Sequence, residues 1–184
     1  MSSVTAVIAA AGNSSRLGQP KQLVKLDGEA LVHRAARLAL EAGCARVLVL
    51  EGAVPLRAVL ADLAVEVVTC PSWQLGPGAS LREGALVAGD TAMLVLLVDQ
   101  HAVTANHLRV LLACEGEVAA AQYAGGLGVP ARFSAKYATV LRSLPSASGA
   151  KAWLQGHASL VTPVPMPEAE LDVDTPGQLS DLQK

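Results

Sequence analysis

Two cations follow closely on a short apolar run near the start of the chain. Residues 6–11 are apolar and long enough for a buried strand, and the small polar residues 12–15 come directly after them. Arg16, Gly18 and Lys21 complete the segment. Small residues let backbone N–H groups approach an anion, while the guanidinium and ammonium groups supply the opposite charge. The pattern therefore predicts a phosphate-binding loop.

The two commonest phosphate-loop motifs do not fit this segment. The P-loop motif places its lysine directly after the second glycine, whereas Gln19-Pro20 separate Gly18 from Lys21. The dinucleotide motif G-x-G-x-x-G is also absent. The segment is therefore a phosphate loop of another type, or an ordinary connection after a strand in which the cations occur by chance.

A carboxylate follows the most hydrophobic strand predicted in the sequence, residues 93–98. Asp99 would lie at the carboxyl end of that strand, where open α/β sheets bind ligands. A desolvated carboxylate is costly unless it is paired or bound to a cation. Asp99 is therefore interpreted either as a Mg²⁺ ligand or as the cap of the next helix. Thr104 is the better cap, which favours the metal.

Two further carboxylates alternate in the C-terminal segment Asp-Val-Asp-Thr-Pro. In an extended segment, Asp172 and Asp174 would share one face and repel each other unless a cation or hydrogen-bond donors intervene. One of them could then join Asp99 on a single Mg²⁺. A solvated turn residue is the alternative for Asp174. Thr175-Pro176 predict the start of the last helix.

Predicted strands and helices alternate along the chain between the N-terminal loop, Asp99 and the C-terminal carboxylates. The patterns predict a cap at Ser80 for the helix that follows residues 71–79, and a flexible loop at Gly125, Gly126 and Gly128. The alternation is typical of βαβ units in a largely parallel sheet, and it predicts one α/β domain, residues 1–184. The other predicted strands are residues 46–50, 65–70, 118–122 and 160–164, and the other predicted helices are residues 29–42, 55–63, 106–114 and 149–157.

Composition narrows the class of protein. The 184 residues are 52% hydrophobic but 3% aromatic, so Ala, Val and Leu must build the core. A net charge of -2 without a basic block argues against nucleic-acid binding. No apolar run reaches the about 18 residues of a membrane span, and no signal peptide is evident. Three scattered cysteines predict reduced core thiols in a cytoplasmic protein.

The pattern Ala-Ala-Gly-x-Ser-x-Arg-x-Gly-x-Pro-Lys, from Ala10 to Lys21, closely resembles the signature loop of nucleotidyltransferases. Within them it most resembles the molybdenum cofactor cytidylyltransferases. The likeness continues through Trp-x-x-Gly-x-x-x-Ser-Leu-Arg-x-Gly, from Trp73 to Gly84, and through the Asp-Val-Asp-Thr-Pro tail, in chain order. It implies a three-layer Rossmann-like sandwich with a mostly parallel mixed sheet, of the nucleotide-diphospho-sugar transferase type.

The resemblance also implies an activity, the transfer of a nucleoside monophosphate from a nucleoside triphosphate to an acceptor phosphate with release of pyrophosphate. It implies catalytic roles for Arg16 and Lys21, and a Mg²⁺ ion on Asp99 and Asp172, with Asp174 as an alternative ligand. Trp73 is expected to pack rather than to stack on the base. The positions implied to bind the nucleotide are Ala10, Ala11, Gly12, Asn13, Ser14, Ser15, Gly78 and Ser80.

The choice of substrates follows from finer details of the resemblance. Guanylyltransferases for the same cofactor typically carry Ala-Gly-Gly where this chain has Ala10-Ala11-Gly12, which favours CTP over GTP. The implied acceptor is a phosphorylated small molecule, molybdopterin, and a molybdenum hydroxylase would then be a partner. An acceptor from sugar or isoprenoid metabolism is the alternative.

Three positions depart from the family pattern. His101 stands where proline is expected, Val129 where relatives often have histidine, and residues 144–149 lack an acidic residue. The last two are expected on the side of the cleft that holds the second substrate. All three departures favour a different class of function, a non-catalytic nucleotide-binding module of the same fold. Retention of both cations together with Asp99 and Asp172 favours the enzyme.

Overall fold

The computed structural model describes residues 3–182. Its main sheet has seven strands in the order β5-β4-β1-β6-β8-β7-β9, and β2 and β3 form a separate two-stranded ribbon. The strands are β1 (Val4–Ala9), β2 (Lys25–Leu26), β3 (Glu29–Ala30), β4 (Arg46–Glu51), β5 (Glu66–Thr69), β6 (Ala92–Leu97), β7 (Val118–Tyr123), β8 (Gly126–Phe133) and β9 (Val161–Pro165). The helices are α1 (Leu31–Glu41), α2 (Pro77–Ala88), α3 (Ala105–Ala113), α4 (Ala138–Arg142), α5 (Ala150–Gly156) and α6 (Pro176–Leu182).

The sheet is mostly parallel, as the sequence predicts. β1 lies between β4 and β6 and runs parallel to both, while β5 continues the parallel set next to β4. β8 runs antiparallel to β6 and to β7, and β9 is again parallel to β7. The carboxyl ends of β1, β6, β7 and β9 therefore meet at one edge of the sheet.

Helices cover both faces of the sheet. Ala6 and Ile8 of β1 face a core built with α1 and α3, whereas Val7 between them faces a second core with α2, α4 and α5. Because successive strand residues point to opposite faces and both faces are buried, β1 is apolar except for Thr5, which is itself only 4% exposed. The three-layer sandwich is thereby confirmed.

Three local predictions are wrong. Residues 55–63 form turns and no helix, and the buried carboxylate of Glu51 accepts the N–H of Leu56 at the start of this segment at 2.8 Å. α2 begins at Pro77, upstream of Ser80, because proline suits a first helical turn. Gly126 and Gly128 lie in β8 and not in a loop.

The turn before β8 explains why the glycine-rich segment is ordered. Ala124 and Gly125 join β7 to β8 with φ values of 49° and 72°. Positive φ at both central residues is what a two-residue hairpin turn requires to match the twist of its strands. The hairpin thus carries Tyr123 and Gly126 to the edge where β1 and β6 end.

The structure bears on two expectations from composition, free core cysteines and the lack of a membrane-spanning segment. Cys44 and Cys70 are buried and free, and Cys114 is half-buried and free. Burial raises the pKa of the Cys44 thiol to about 11, which suits an inert core residue. None of the helices within residues 3–182 combines the length and apolar character that crossing a membrane requires.

Candidate active site

A cleft of about 800 Å³ opens at the carboxyl edge of the sheet. Ala9 of β1 lies beside Leu97 of β6 in parallel register, so the loop after β1 and Asp99 after β6 emerge next to each other. Many of the predicted site residues line this cleft: Ala10, Ala11, Gly12, Asn13, Ser14, Ser15, Arg16, Lys21, Ser80, Asp99, Asp172 and Asp174.

The buried amide of Gln22 holds the phosphate loop in shape. Its Nε2 donates to the carbonyl oxygens of Ala10 and Gly12, each at 2.6 Å, and the residue is only 1% exposed. Ser14 adopts a φ of 53°, and its Oγ accepts the backbone N–H of Lys21 at 3.1 Å. The loop therefore closes on the short 3-10 turn that carries Lys21.

Sequence reasoning did not single out Gln22. A glutamine directly after the lysine is a weak signal, because the residue type gives no indication of its burial or of the two carbonyls it contacts. The structure shows that the loop's shape depends on it, since those carbonyls would otherwise lose their donor.

Lys21 lies between two carboxylates from distant parts of the chain. Its Nζ is 2.6 Å from Asp99 Oδ2 and 2.5 Å from Asp174 Oδ1. Asp174 also pairs through Oδ2 with Arg16 Nη2 at 2.8 Å. Asp174 is therefore held by both loop cations, and the interpretation of Asp174 as a solvated turn residue is wrong.

The charges shift one another's ionisation. Burial by itself would lower the pKa of Lys21, but the charges and hydrogen bonds of Asp99 and Asp174 together raise it above its ordinary value. The hydrogen bond from Lys21, followed by the charges of Lys21 and Arg16, lowers the pKa of Asp174. Burial, followed by repulsion from Asp174 and Asp99, raises the pKa of Asp172. Asp172 is thus the carboxylate that most lacks a cation.

The three carboxylates fit a divalent cation. Each offers one oxygen within 4.8 Å of the others' oxygens, and carboxylate oxygens suit hard ions such as Mg²⁺ and Mn²⁺. Asp99 is 8% exposed, and its Oδ1 is buried with no hydrogen-bond partner among residues 3–182. A buried oxygen of this kind needs a partner, and a metal ion at this position would provide one.

The opposite wall of the cleft comes from the segment around α2. Trp73, Pro77 and Ser80 line it. Trp73 packs tightly, because a Cβ on Gly52 would come within 2.6 Å of its Cγ and of the Ala11 carbonyl oxygen. This packing links the wall to the phosphate loop.

Gly78 does not lie where it was expected. Its N–H donates to the carbonyl oxygen of Ser146 at 3.0 Å, and a Cβ at this position would collide with the carbonyl oxygens of Pro145 and Ser148. Gly78 is also not among the residues that line the cleft. The prediction that it faces the base is therefore corrected: a glycine is needed here for close packing.

The same contacts correct the expected place of residues 144–149. Arg82 of α2 donates to the Leu144 carbonyl oxygen at 2.6 Å and to Ser146 Oγ at 3.1 Å. The segment therefore supports the start of the helix that carries Ser80, whereas the family pattern predicts it on the side of the cleft that holds the second substrate.

The other two departures lie beyond Asp99. The Gln100 amide, also buried, donates to the carbonyl oxygens of Val129 and Ala169 at 2.7 Å each. The His101 carbonyl accepts from Arg34 Nε at 3.2 Å, and burial, with the Arg34 charge, lowers the pKa of the His101 ring. Val129 thus contributes backbone to this region, and the surroundings of His101 favour the neutral form of its ring.

Comparisons with known proteins agree with this geometry. The model of the MobA-like NTP transferase domain matches residues 6–161. The purine catabolism protein PucB of Bacillus subtilis (strain 168) is 28% identical over an alignment of 190 positions that covers 94% of this chain and 92% of PucB.

Solved structures show the same fold. Rv0371c from Mycobacterium tuberculosis H37Rv superposes with a TM-score of 0.81 at 28% identity, over 99% of this chain and 98% of its own, and has also been solved in complex with manganese. A nucleotidyl transferase from Methanothermobacter has a TM-score of 0.82 at 23% identity, over 98% of this chain and 96% of its own. The family match includes the phosphate loop, Lys21 and Asp99. The chain therefore belongs to the MobA-like NTP transferase family of nucleotidyltransferases.

Proposed function

We propose that this chain, as one nucleotidyltransferase domain spanning residues 1–184, transfers CMP from CTP to the phosphate of molybdopterin and releases pyrophosphate. The observation that carries the proposal is the contact of Lys21 with Asp99 and Asp174. Cations from the glycine-serine loop and acids from two remote segments meet in one cleft. That arrangement suits a triphosphate and its counter-cation.

The loop would bind the triphosphate. Attack at the α-phosphorus requires charge to be neutralised on the equatorial oxygens and on the leaving pyrophosphate. Arg16, whose side chain is 76% exposed, can reach a ligand in the cleft from its position beside Asp174. Lys21 would contact the phosphate nearest the acids, and the backbone N–H groups of residues 11–15 would contact the β- and γ-phosphates.

The acids would hold Mg²⁺. Asp99 and Asp172 would hold the ion, which would supply positive charge to the reacting phosphates. Asp99 is held by the end of β6, so its carboxylate is fixed relative to the loop after β1. No side chain needs to act as a general base, because an acceptor phosphate is already ionised near neutral pH.

The choice of CTP depends on the loop. Ala11 is 5% exposed, and its carbonyl accepts the N–H of Ala53 at 2.9 Å, so the methyl group is fixed at the position where guanylyltransferases typically carry glycine. The family likeness supports molybdopterin as the acceptor, with a molybdenum hydroxylase as a partner that would use the product. Within the same chemistry, GTP is the alternative nucleotide, and a sugar or isoprenoid phosphate is the alternative acceptor.

Pyrophosphate release tests the proposal directly. The purified protein is incubated with Mg²⁺, with CTP or GTP, and with molybdopterin or a sugar phosphate. Release with CTP and molybdopterin is expected. Release with another pair would correct the substrate, whereas nucleotide binding without release from any pair would favour the non-catalytic module.

A matched pair of variants links the activity to the site. Asp99→Asn should abolish release, because it removes the charge from the buried carboxylate. Asp27→Asn, at an exposed turn with a φ of 51° that asparagine tolerates, should leave it unchanged. Equal activity of the two variants would contradict the assignment of the site.

A further inference from the structure

Lys21 occupies the position that a divalent cation would share. Its ammonium group lies within 2.6 Å of Asp99 Oδ2 and 2.5 Å of Asp174 Oδ1, and both residues belong to the three-acid group whose oxygens converge. An ammonium group and a divalent ion in contact with the same oxygens would repel each other strongly at such short distances. The two cations therefore compete.

We propose that Lys21 is an exchangeable counter-ion which couples metal binding to nucleotide binding. A divalent cation that enters the cluster is held by Asp99 and Asp172, takes over Asp99 from Lys21, and competes with Lys21 for Asp174. The displaced ammonium group then turns toward the phosphate loop, where it contacts the triphosphate. This inference rests on the proposed function, because it assigns the cleft to a triphosphate and its metal ion.

The local structure allows the ammonium group to move while the backbone stays in place. The backbone N–H of Lys21 is tied to Ser14 Oγ at 3.1 Å, so the start of the side chain is anchored next to the loop. The four-carbon stem is flexible, and Lys21 lines the same cleft as residues 10–16. A swing of the stem alone would therefore move the charge from the acids to the phosphates.

The cluster also offers the entering cation a first ligand. Asp99 Oδ1 is buried and has no hydrogen-bond partner within residues 3–182, while Oδ2 of the same carboxylate is bound to Lys21. Asp172 makes no ion pair in the described part of the chain. Asp172 thus offers the entering cation a ligand before Lys21 leaves.

Mn²⁺ binding in the absence of nucleotide tests the exchange. Free Mn²⁺ is followed by electron paramagnetic resonance in titrations of the wild type and of Lys21→Met, Lys21→Arg and Lys25→Met. Because Lys21→Met removes the competing charge, we expect it to bind Mn²⁺ about tenfold tighter or more than the wild type. Lys21→Arg keeps the charge and Lys25→Met removes an exposed lysine outside the cleft, so both should bind like the wild type.

A second titration measures the coupling. In the wild type, CTP should raise Mn²⁺ affinity and Mn²⁺ should raise CTP affinity by the same factor. In Lys21→Met that factor should fall toward the value expected for direct metal–phosphate contact alone. If Lys21→Met proves unstable, Lys21→Gln, which keeps a polar head without charge, is used in both titrations.

The outcomes separate this inference from the proposed function. Failure of both the wild type and Lys21→Met to bind Mn²⁺ would overturn the metal site and the exchange together. Wild-type protein that binds Mn²⁺, with Lys21→Met and Lys21→Gln binding it equally or more weakly, would overturn the exchange alone.

Discussion

A buried glutamine amide stabilises each side of the cleft. The partners of one amide are close to it in the chain, whereas those of the other are distant. On the nucleotide side, the buried amide of Gln22 donates to two loop carbonyls, those of Ala10 and Gly12. On the far side of Asp99, the buried amide of Gln100 donates to the carbonyls of Val129 and Ala169. Gln22 bridges neighbours within one loop, whereas Gln100 joins the β6 end to β8 and to the C-terminal segment.

The two sides differ in charge. The nucleotide side contains Arg16 and Lys21, which both contact Asp174. On the other side, the exposed Lys151 lies over the ring of the half-buried Tyr123, 5.4 Å from its centroid. The cations of the predicted nucleotide side therefore lie in a short local segment, whereas the acids that they contact and the other side of the cleft come from distant segments.

The largest effect is expected at the shared centre of the two sides. Lys21→Ala should cost about 2–4 kcal/mol of transition-state stabilisation, about a 30- to 1,000-fold loss in kcat/KM, because it removes a cation from the reacting phosphates. Steady-state pyrophosphate release with Lys25→Ala as the control measures it. Turnover within a few-fold of the wild type would contradict the role of Lys21.

A paired substitution of the two glutamines would sharpen the comparison. Gln22→Met and Gln100→Met keep side-chain size but leave two carbonyls each without a donor, which costs about 1–3 kcal/mol per group in local order. Gln22→Met should raise KM for the nucleotide about tenfold with little change for the acceptor, and Gln100→Met should do the reverse.

The control for both is Gln19→Met, at an exposed position beside the loop, which should match the wild type. Separate KM values for nucleotide and acceptor decide the outcome. If both glutamine variants changed the two constants equally, the two sides would have to be treated as one structural unit.

The smallest effect is expected from a substitution of His33 on α1, away from both sides of the cleft, and it concerns the stability of the fold. His33 contacts Glu29 at 2.8 Å and Asp62 at 3.0 Å, and Glu29 also pairs with Arg37 at 2.8 Å. Hydrogen bonds to Asp62 and then Glu29 raise the pKa of His33. The folded pKa exceeds the unfolded one, so the stabilisation is fully present below about pH 6.5 and is lost as pH rises through the folded pKa.

Thermal unfolding of the wild type and of His33→Gln checks this sign. The wild type should exceed the variant by about 2 °C or less at pH 5.5, since these ion pairs are largely solvent-screened. The difference should disappear by pH 9, where the histidine is neutral in both states. A difference that grew with pH would contradict the assigned ion pairs.

The family, the fold class and the phosphate loop could be predicted from sequence because their signals are local. Apart from Thr5, strand β1 is apolar because both of its faces are buried, and the loop's glycines, serines and cations follow one another directly. The position of Asp99 at the end of an apolar run was equally visible. These features depend on neighbours in the chain, so their residue types and spacing were sufficient.

Other features depend on contacts between distant segments. The pairing of Asp174 with Lys21 spans 153 residues, and the contact of Gln100 with Ala169 spans 69. The packing of Gly78 against residues 145–148 is likewise long-range. Residue type alone does not reveal which side chain is buried or which partner it meets.

By itself, the sequence determined that the chain is an α/β nucleotidyltransferase with a predicted phosphate loop and an acid at the end of a strand. This was possible because strand periodicity and loop composition depend on consecutive residues. Only the tertiary structure decided that Asp174 is bound to the loop cations, that Gln22 and Gln100 hold the two sides, and that Gly78 packs behind the cleft. The physical reason is that burial and charge pairing are set by segments that meet only when the sheet has formed.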